Sequence, residues 1–328
     1  MSCAFARTLT PPAVETVTVS VVMPTKNRTS YLVAAVRALL AQTVTPDELI
    51  VIDQSDEDGN SARLAALVAA APAPRRPRLT YVLDRSINGA AAARNAGLDR
   101  ATGDIVVCCD DDVIAEPTVI ERLLTHYRVA PEYAALAPVI TNYEPPGALH
   151  RFYNSVFCLG PFRDERQPVY WFWRDYPRPA RIPVRMFTGA MMSFRRSALE
   201  GLRHDARYKG ASVGEDIDLC WTLWRRGARL AIVTDAHIVH NRAPRPATRP
   251  EEAQIASWGF LYQKHLPRTL GTRAAFAWYV AGVFVSAIVY AVHERTLDPL
   301  RSAAVGLRGV WTDYANTKFL VPPVSERA

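Results

Sequence analysis

Cysteine is scarce and unpatterned. The 328 residues hold five cysteines, at Cys3, Cys108, Cys109, Cys158 and Cys220. The number is odd and no two have CxxC spacing, which excludes a disulfide framework and argues against a structural zinc site. Reduced thiols in a cytosolic compartment are expected. No glycine-rich phosphate loop follows the first apolar run. PTKNR (residues 24–28) stands there instead, which argues against a nucleotidyltransferase. The N-terminus shows no basic stretch leading into a long apolar core, so no secretory leader is expected. Basic residues are dispersed rather than gathered on one helix or arm, so nucleic acid is not an expected partner. Charge of neither sign dominates: 39 Lys and Arg against 32 Asp and Glu leave +7. That mild excess suits nucleotides or anionic lipid without choosing between them.

What the chain does have is strands alternating with helices. Residues 1–16 read as a flexible tail. VTVSVVM (17–23) is a β-branched run that reads as a buried strand ended by Pro24. Apolar residues then recur at helical spacing over 30–42. ELIVID (48–53) and LTYVL (79–83) are further strands, with a helix over 61–71 between them. Asn88-Gly89 opens an alanine-rich helix reaching Leu98, and IVVCC runs into Asp110, Asp111 and Asp112. A helix to Arg128, a strand over 134–140, a strand in FTGAMMSF (187–194), a helix in GEDIDLCWTLWRRG (214–227) and a strand in LAIVT (230–234) complete the pattern. Residues 143–185 are aromatic and aperiodic, as functional segments in compact domains often are. The fold class is α/β: a doubly wound, mainly parallel sheet with helices on both faces, followed by a C-terminal helical region. Ligands of such sheets bind at the carboxyl ends of strands. Those ends carry Pro24 and Thr25, Asp53, and the three consecutive aspartates.

Three adjacent acids where a buried strand emerges repel one another, so a cation there is favoured. Oxygen ligands select Mg²⁺ or Mn²⁺ shared with substrate phosphates. The bland alternative is a solvated acidic loop. At the start of the Asn88 helix, backbone N–H groups and Arg94 suit a diphosphate; alternatively Arg94 pairs with Asp99 or Asp104. Ser212 and Glu215 fit a capping box, and acids in a first turn suit the helix dipole. The functional reading of the same turn makes Asp216 a general base. His240, rather than His237, is the candidate to complete a metal shell.

In order, SVVMPTKNR, LIVIDQSDED, NGAAAARNAGL, TGDIVVCCDDD, FTGAMMSFRRSAL, GEDIDLCWTLWRRG and His240 resemble the family-2 inverting glycosyltransferases of GT-A fold. The likeness covers about residues 17–240. It implies transfer of a sugar from a nucleotide-diphosphate donor, with UDP or dTDP expected, to the hydroxyl of a saccharide or lipid-linked acceptor in cell-surface polysaccharide or glycolipid assembly. Pro24, Thr25 and Arg28 match the first donor loop, Asp53 the acid that reads the base, and Asn88 and Arg94 the nucleotide-facing helix. Asp110 and Asp111 match the ribose side of the DxD-type motif, and Asp112 the metal ligand, with His240 beside it. Asp216 matches the catalytic base, which Glu215 and Asp218 support or complement at the acceptor. The resemblance divides the chain into a nucleotide-binding half (17–115), an acceptor half (116–240) and a helical region (241–328). The QxxRW motif of processive members is absent, so one or a few sugars are added. An inactive nucleotide-sugar-binding or partner-binding relative is the alternative. It predicts loss of Asp112 or Asp216, and both are present.

Residues 274–292 carry no Asp, Glu, Lys or Arg. A helix of that length runs about 28 Å, close to a bilayer core. It spans a membrane, lies along one, or packs as a core helix. Association with the inner face of the cell membrane is the expectation, with residues 297–320 as a second, amphipathic surface helix. The oligomeric state is left open.

Overall fold

The computed structural model describes residues 17–73, 76–172, 179–205, 207–208, 213–243 and 250–315. The expected N-terminal tail and Ser212, half of the expected capping box, lie outside these residues. The first half alternates β1 (Val19–Thr25), α1 (Thr29–Leu40), β2 (Glu48–Asp53), α2 (Asn60–Ala70), β3 (Arg78–Leu83), α3 (Ala90–Leu98) and β4 (Ile105–Cys109). Then follow β5 (Val113–Ala115), α4 (Val119–Val129), β6 (Tyr133–Ile140), α5 (Ala148–Phe157), α6 (Gln167–Phe172), β7 (Arg181–Val184), β8 (Met191–Arg195), α7 (Glu215–Arg225) and β9 (Arg229–His240). Helices α8 (Pro250–His265), α9 (Leu270–Glu294) and α10 (Asp298–Ala315) finish the described chain.

Among the described residues the strands form one sheet in the order β3-β2-β1-β4-β8-β6-β9-β5, with β7 also on β9. β1 to β4 run parallel. Beyond β4 the directions mix: β8 is antiparallel to both β4 and β6, and β6 is parallel to β9. β1, β2 and β4 are buried along their length, as strands covered on both faces must be, whereas β3 at the sheet edge is only half-buried. Val21, Val22, Met23, Ile50, Val51 and Val107 are among the least exposed residues of the main core.

Three expectations are corrected. Pro24 does not end β1: it pairs in register with Ile52, and the strand runs on to Thr25. Its missing N–H costs nothing, because β1 pairs with β4 only over Val19–Val22. LAIVT and HIVH form one strand, with a register shift after Pro138/Val233 absorbing the break. The aromatic stretch 143–185 holds α5, α6 and β7, elements too short to leave a period. Helix α3 lies so close to β1 that a Cβ at Gly97 would sit 2.2 Å from a Val22 methyl. That close approach explains the small residues of NGAAAARNAGL.

A second apolar cluster joins α8, α9 and α10 around Phe162, Ile255, Phe276, Tyr279 and Val283. Helix α8 also contributes Leu261 to the main core, so the C-terminal helices are packed into the sheet domain rather than appended to it.

Candidate active site

The carboxyl ends of β1 and β4 converge on the three aspartates. Thr25 donates its hydroxyl to Asp111 at 2.6 Å. Arg28 lies 3.3 Å from Asp111 and 3.7 Å from Asp112. The loop carrying Arg28 turns at Asn27, whose φ of 55° is a left-handed conformation that asparagine tolerates. Asn27 is tied to the next loop through Ser55 and Asp56. Burial pushes the Asp111 carboxyl up to about 6, against the hydrogen bond from Thr25 and the charge of Arg28. Burial acts in the same direction on Asp112, but the nearby His240 ring and the Ala243 N–H outweigh it and hold that carboxyl below its usual range. An open cleft of about 760 Å³ lies beside the cluster, lined in part by Asn27, Arg28, Tyr31, Arg63 and Ala243.

His240 reaches the aspartates because β5 pairs antiparallel with the end of β9, placing Val113 opposite His240. The Asn241 N–H donates to the Asp112 carbonyl at 2.8 Å, and the Ala243 N–H donates to Asp112 Oδ2 at 2.9 Å. Asp112 Oδ1 and His240 Nε2 stand 3.0 Å apart, yet both are buried without a hydrogen-bond partner. One ligand atom each from Asp110, Asp112 and His240 lies within 4.8 Å of the others. His240 Nδ1 is 2.7 Å from the Tyr143 hydroxyl. That contact fixes the ring and leaves Nε2 toward the carboxylates, the arrangement expected of a metal-ligating histidine. A buried carboxylate oxygen and a buried imidazole nitrogen that face each other at 3.0 Å without a well-formed hydrogen bond, with the Asp110 carboxylate beside them, fit a hard divalent cation. His237 faces elsewhere, toward Glu116 and the Thr234 carbonyl.

Arg94 is 1% exposed. Its guanidinium donates to Asp110 at 2.5 Å, to Glu215 at 2.7 Å and to the Gly189 carbonyl at 3.1 Å. Burial works against its charge, and the two carboxylates more than offset that and keep it protonated. It pairs with neither Asp99 nor Asp104. The geometry leaves it under the site, joining β4 to α7, rather than open to a diphosphate. Gly189 suits this bridge: a Cβ there would lie 3.0 Å from the guanidinium and press on it.

Helix α7 starts from Gly214, at φ 104° and without a side-chain cap. A Cβ at Gly214 would also strike the Ser257 hydroxyl at 2.2 Å. Glu215 therefore opens the helix and turns to Arg94. Asp216 Oδ2 accepts from the Gly189 N–H at 2.6 Å and Oδ1 from the Ile217 N–H at 2.9 Å. Arg166 approaches Asp216 to 3.7 Å while clamped by Asp164 through two side-chain bonds of 2.8 and 2.7 Å. Asp218 is 1% exposed and faces α8, where it receives Lys264 at 2.7 Å and His265 at 2.6 Å. It supports the helix from below and offers no surface to an acceptor.

Asp53 is fully buried, and its carboxylate accepts from the Ser55 N–H, the Asn60 amide and the Tyr81 hydroxyl, each at 2.7 Å. Asn88 is exposed at the entrance to α3, and the following Gly89 N–H donates to Gln54 at 2.9 Å. Sequence reasoning did not anticipate Tyr143, Arg166, Gly189, Lys264 or His265. Only Gly189 left a signal, as the one glycine in FTGAMMSF.

The Glycosyl transferase family 2 description matches residues 20–203. Pre-mycofactocin glycosyltransferase of Mycobacterium tuberculosis is 28% identical over 229 residues, covering 68% of this chain and 42% of that protein. Succinoglycan biosynthesis protein ExoO of Rhizobium meliloti is 35% identical over 117 residues, 35% of this chain and 32% of that protein. The chain thus spans less than half the length of these curated relatives. Among solved structures, S. aureus TarS 1-349 in complex with UDP-GlcNAc aligns with a TM-score of 0.59 at 12% identity, covering 89% of this chain and 80% of that one. The same fragment with UDP gives 0.51 at 14%, covering 82% and 72%. The sheet order, the C-terminal helices and these likenesses describe a GT-A α/β fold, and the family match covers more than half of the sequence: the chain belongs to glycosyl transferase family 2.

Proposed function

We propose that this is a metal-dependent, inverting, non-processive glycosyltransferase that uses a UDP- or dTDP-sugar. The observation that carries the reading is the buried, unpartnered pair Asp112 Oδ1 and His240 Nε2 set beside Asp110, with a separate carboxylate, Asp216, across the Arg94 bridge. Inversion calls for that separation: a cation for the leaving diphosphate and one base on the opposite side of the sugar. Asp110, Asp112 and His240 would hold Mn²⁺ or Mg²⁺, which when bound neutralises the diphosphate so that it departs without a proton.

The chain's own residues supply the rest. Arg28 adds a positive charge at the mouth of the donor cleft, and Thr25 fixes Asp111. Asp216 takes the proton from the acceptor hydroxyl, held in place by the Gly189 and Ile217 N–H groups. Asp53 shapes the base pocket through Ser55, Asn60 and Tyr81. Residues 17–115 act as the donor half and 116–240 as the acceptor half. TarS binds UDP and UDP-GlcNAc by its structures' descriptions, and ExoO belongs to succinoglycan biosynthesis. The first supports a nucleotide-sugar donor and the second a role in surface-polysaccharide or glycolipid assembly, which we place at the inner face of the cell membrane. A thermal-shift panel of UDP-, GDP- and dTDP-sugars with and without Mn²⁺ tests this, since a ligand of the folded state raises apparent stability. A shift that needs both one nucleotide and Mn²⁺ is expected. A donor shift indifferent to Mn²⁺ would refute metal dependence.

A further inference from the structure

We propose that one face of α9, flanked by α5, is a lipid-docking surface that lies in the plane of a membrane and does not cross it. By length and composition α9 can span a bilayer: its mean hydropathy over 18 residues is 2.0. Its burial says otherwise. Phe276, Tyr279, Val280, Val283 and Ala287 are buried on one side, in the cluster with α8, α10 and Phe162, and Ala291 is buried on the same side. A spanning helix would have to abandon all of these contacts.

The opposite side, at helical spacing, is exposed along Leu270, Ala274, Ala277, Trp278, Ala281, Val285, Ile288, Val289 and Val292. The stripe is apolar over its whole length. A solvent-facing helix carries polar residues there, and a continuous apolar face of this size marks an interaction surface.

Helix α5 extends it. Phe157 packs on Trp278 with ring centres 5.3 Å apart, and the Trp278 indole N–H donates to the Val156 carbonyl at 2.7 Å. On α5, Leu149 and Phe152 are 81% and 66% exposed. The occupant is chosen by charge. Residues 241–328 hold eleven Lys and Arg against six Asp and Glu, so +5 of the chain's +7 lies there. Exposed Arg273 and Arg295 sit at the two ends of the stripe, Arg301 on α10 and Arg151 on α5. Apolar residues rimmed by cations match an anionic bilayer surface.

The buried face of α9 is linked to the chemistry. Phe162 is anchored in the α9 cluster, and four residues later Arg166 reaches Asp216. Resting on the transferase reading, this favours a lipid-anchored acceptor delivered from the membrane side.

The test is flotation of the full chain with vesicles of phosphatidylcholine alone or mixed equally with phosphatidylglycerol. Wild type should float with the anionic vesicles, and the double variant Ile288→Glu, Val289→Glu should lose about tenfold or more of that binding. Its unfolding temperature and its UDP-plus-Mn²⁺ shift should stay unchanged. Pro267→Cys and Leu297→Cys variants, just beyond the two ends of α9 and exposed, bound from outside and treated with an impermeant maleimide, should both be labelled above wild type; protection of one end alone means a span and overturns the in-plane claim. Wild type that stays in solution with both vesicles overturns the proposal, as does a wild-type dimer that the glutamates dissociate without any vesicle binding. Donor binding needs no vesicle, so its failure would sink the transferase reading separately.

Discussion

Two acidic turns face each other across Arg94, and they have opposite fates. The carboxylates of α7 are saturated: Glu215 by Arg94, Asp216 by two N–H groups, Asp218 by Lys264 and His265. At the end of β4, Asp110 and Asp111 have partners, but Asp112 keeps an orphaned oxygen facing an orphaned imidazole nitrogen. Similar runs of acids thus do different work according to what surrounds them. A buried polar atom without a partner is costly, which is why we propose a cation at the β4 cluster. The α7 cluster is built to hold a carboxylate still. Arg94 spans both, so neither can shift without the other.

Substitutions can break this contrast in order of size. Asp216→Asn should lower transfer by about 10³-fold, within the range for loss of a general base, while UDP-plus-Mn²⁺ binding persists; transfer assays and calorimetry check both halves. Arg94→Met strands two buried carboxylates and should cost about 3–5 kcal/mol of stability, read by denaturant unfolding. Adding Glu215→Gln should return part of that loss, because one stranded charge is removed. Asp218→Asn, on the saturated side and away from the cleft, should cost about 1–3 kcal/mol and leave donor affinity unchanged.

A third carboxylate calibrates the comparison. Glu48, at the far end of β2, accepts from Ser20 and from the Thr102 N–H and hydroxyl, and pairs with Arg78. Burial alone would raise its carboxyl, but these donors hold it down to about 2. A carboxyl depressed in the folded state stabilises fully above its ordinary value of 4.5 and loses that contribution as pH falls toward 2. Glu48→Gln should therefore be destabilised at pH 7 and differ less from wild type at pH 3, in denaturant curves at the two pH values.

Much of the donor half was legible because parallel buried strands leave continuous β-branched runs and end in polar clusters. ELIVID predicts β2 to the residue. The pairing of Asp112 with His240 was visible only as a suggestion, since the β5–β9 register that joins residues 128 apart leaves no local trace. Arg94 illustrates the limit most clearly. Its helix and motif were readable, but of its partners Asp110 lies past the next strand and Glu215 is 121 residues along the chain, so a residue expected to face the diphosphate lies beneath the site. Arg166 sits in an aromatic stretch without period, and nothing in the sequence singles it out. On α9 hydropathy alone reads as a span, and only the packed face shows which side is free.

The most direct test of the contrast is the thermal shift produced by UDP with and without Mn²⁺ in wild type, Asp112→Asn and Asp216→Asn. Wild type and Asp216→Asn should shift only when both ligands are present, and Asp112→Asn should not shift at all. An undiminished Mn²⁺-dependent shift in Asp112→Asn would contradict the assignment of the β4 cluster as the cation site.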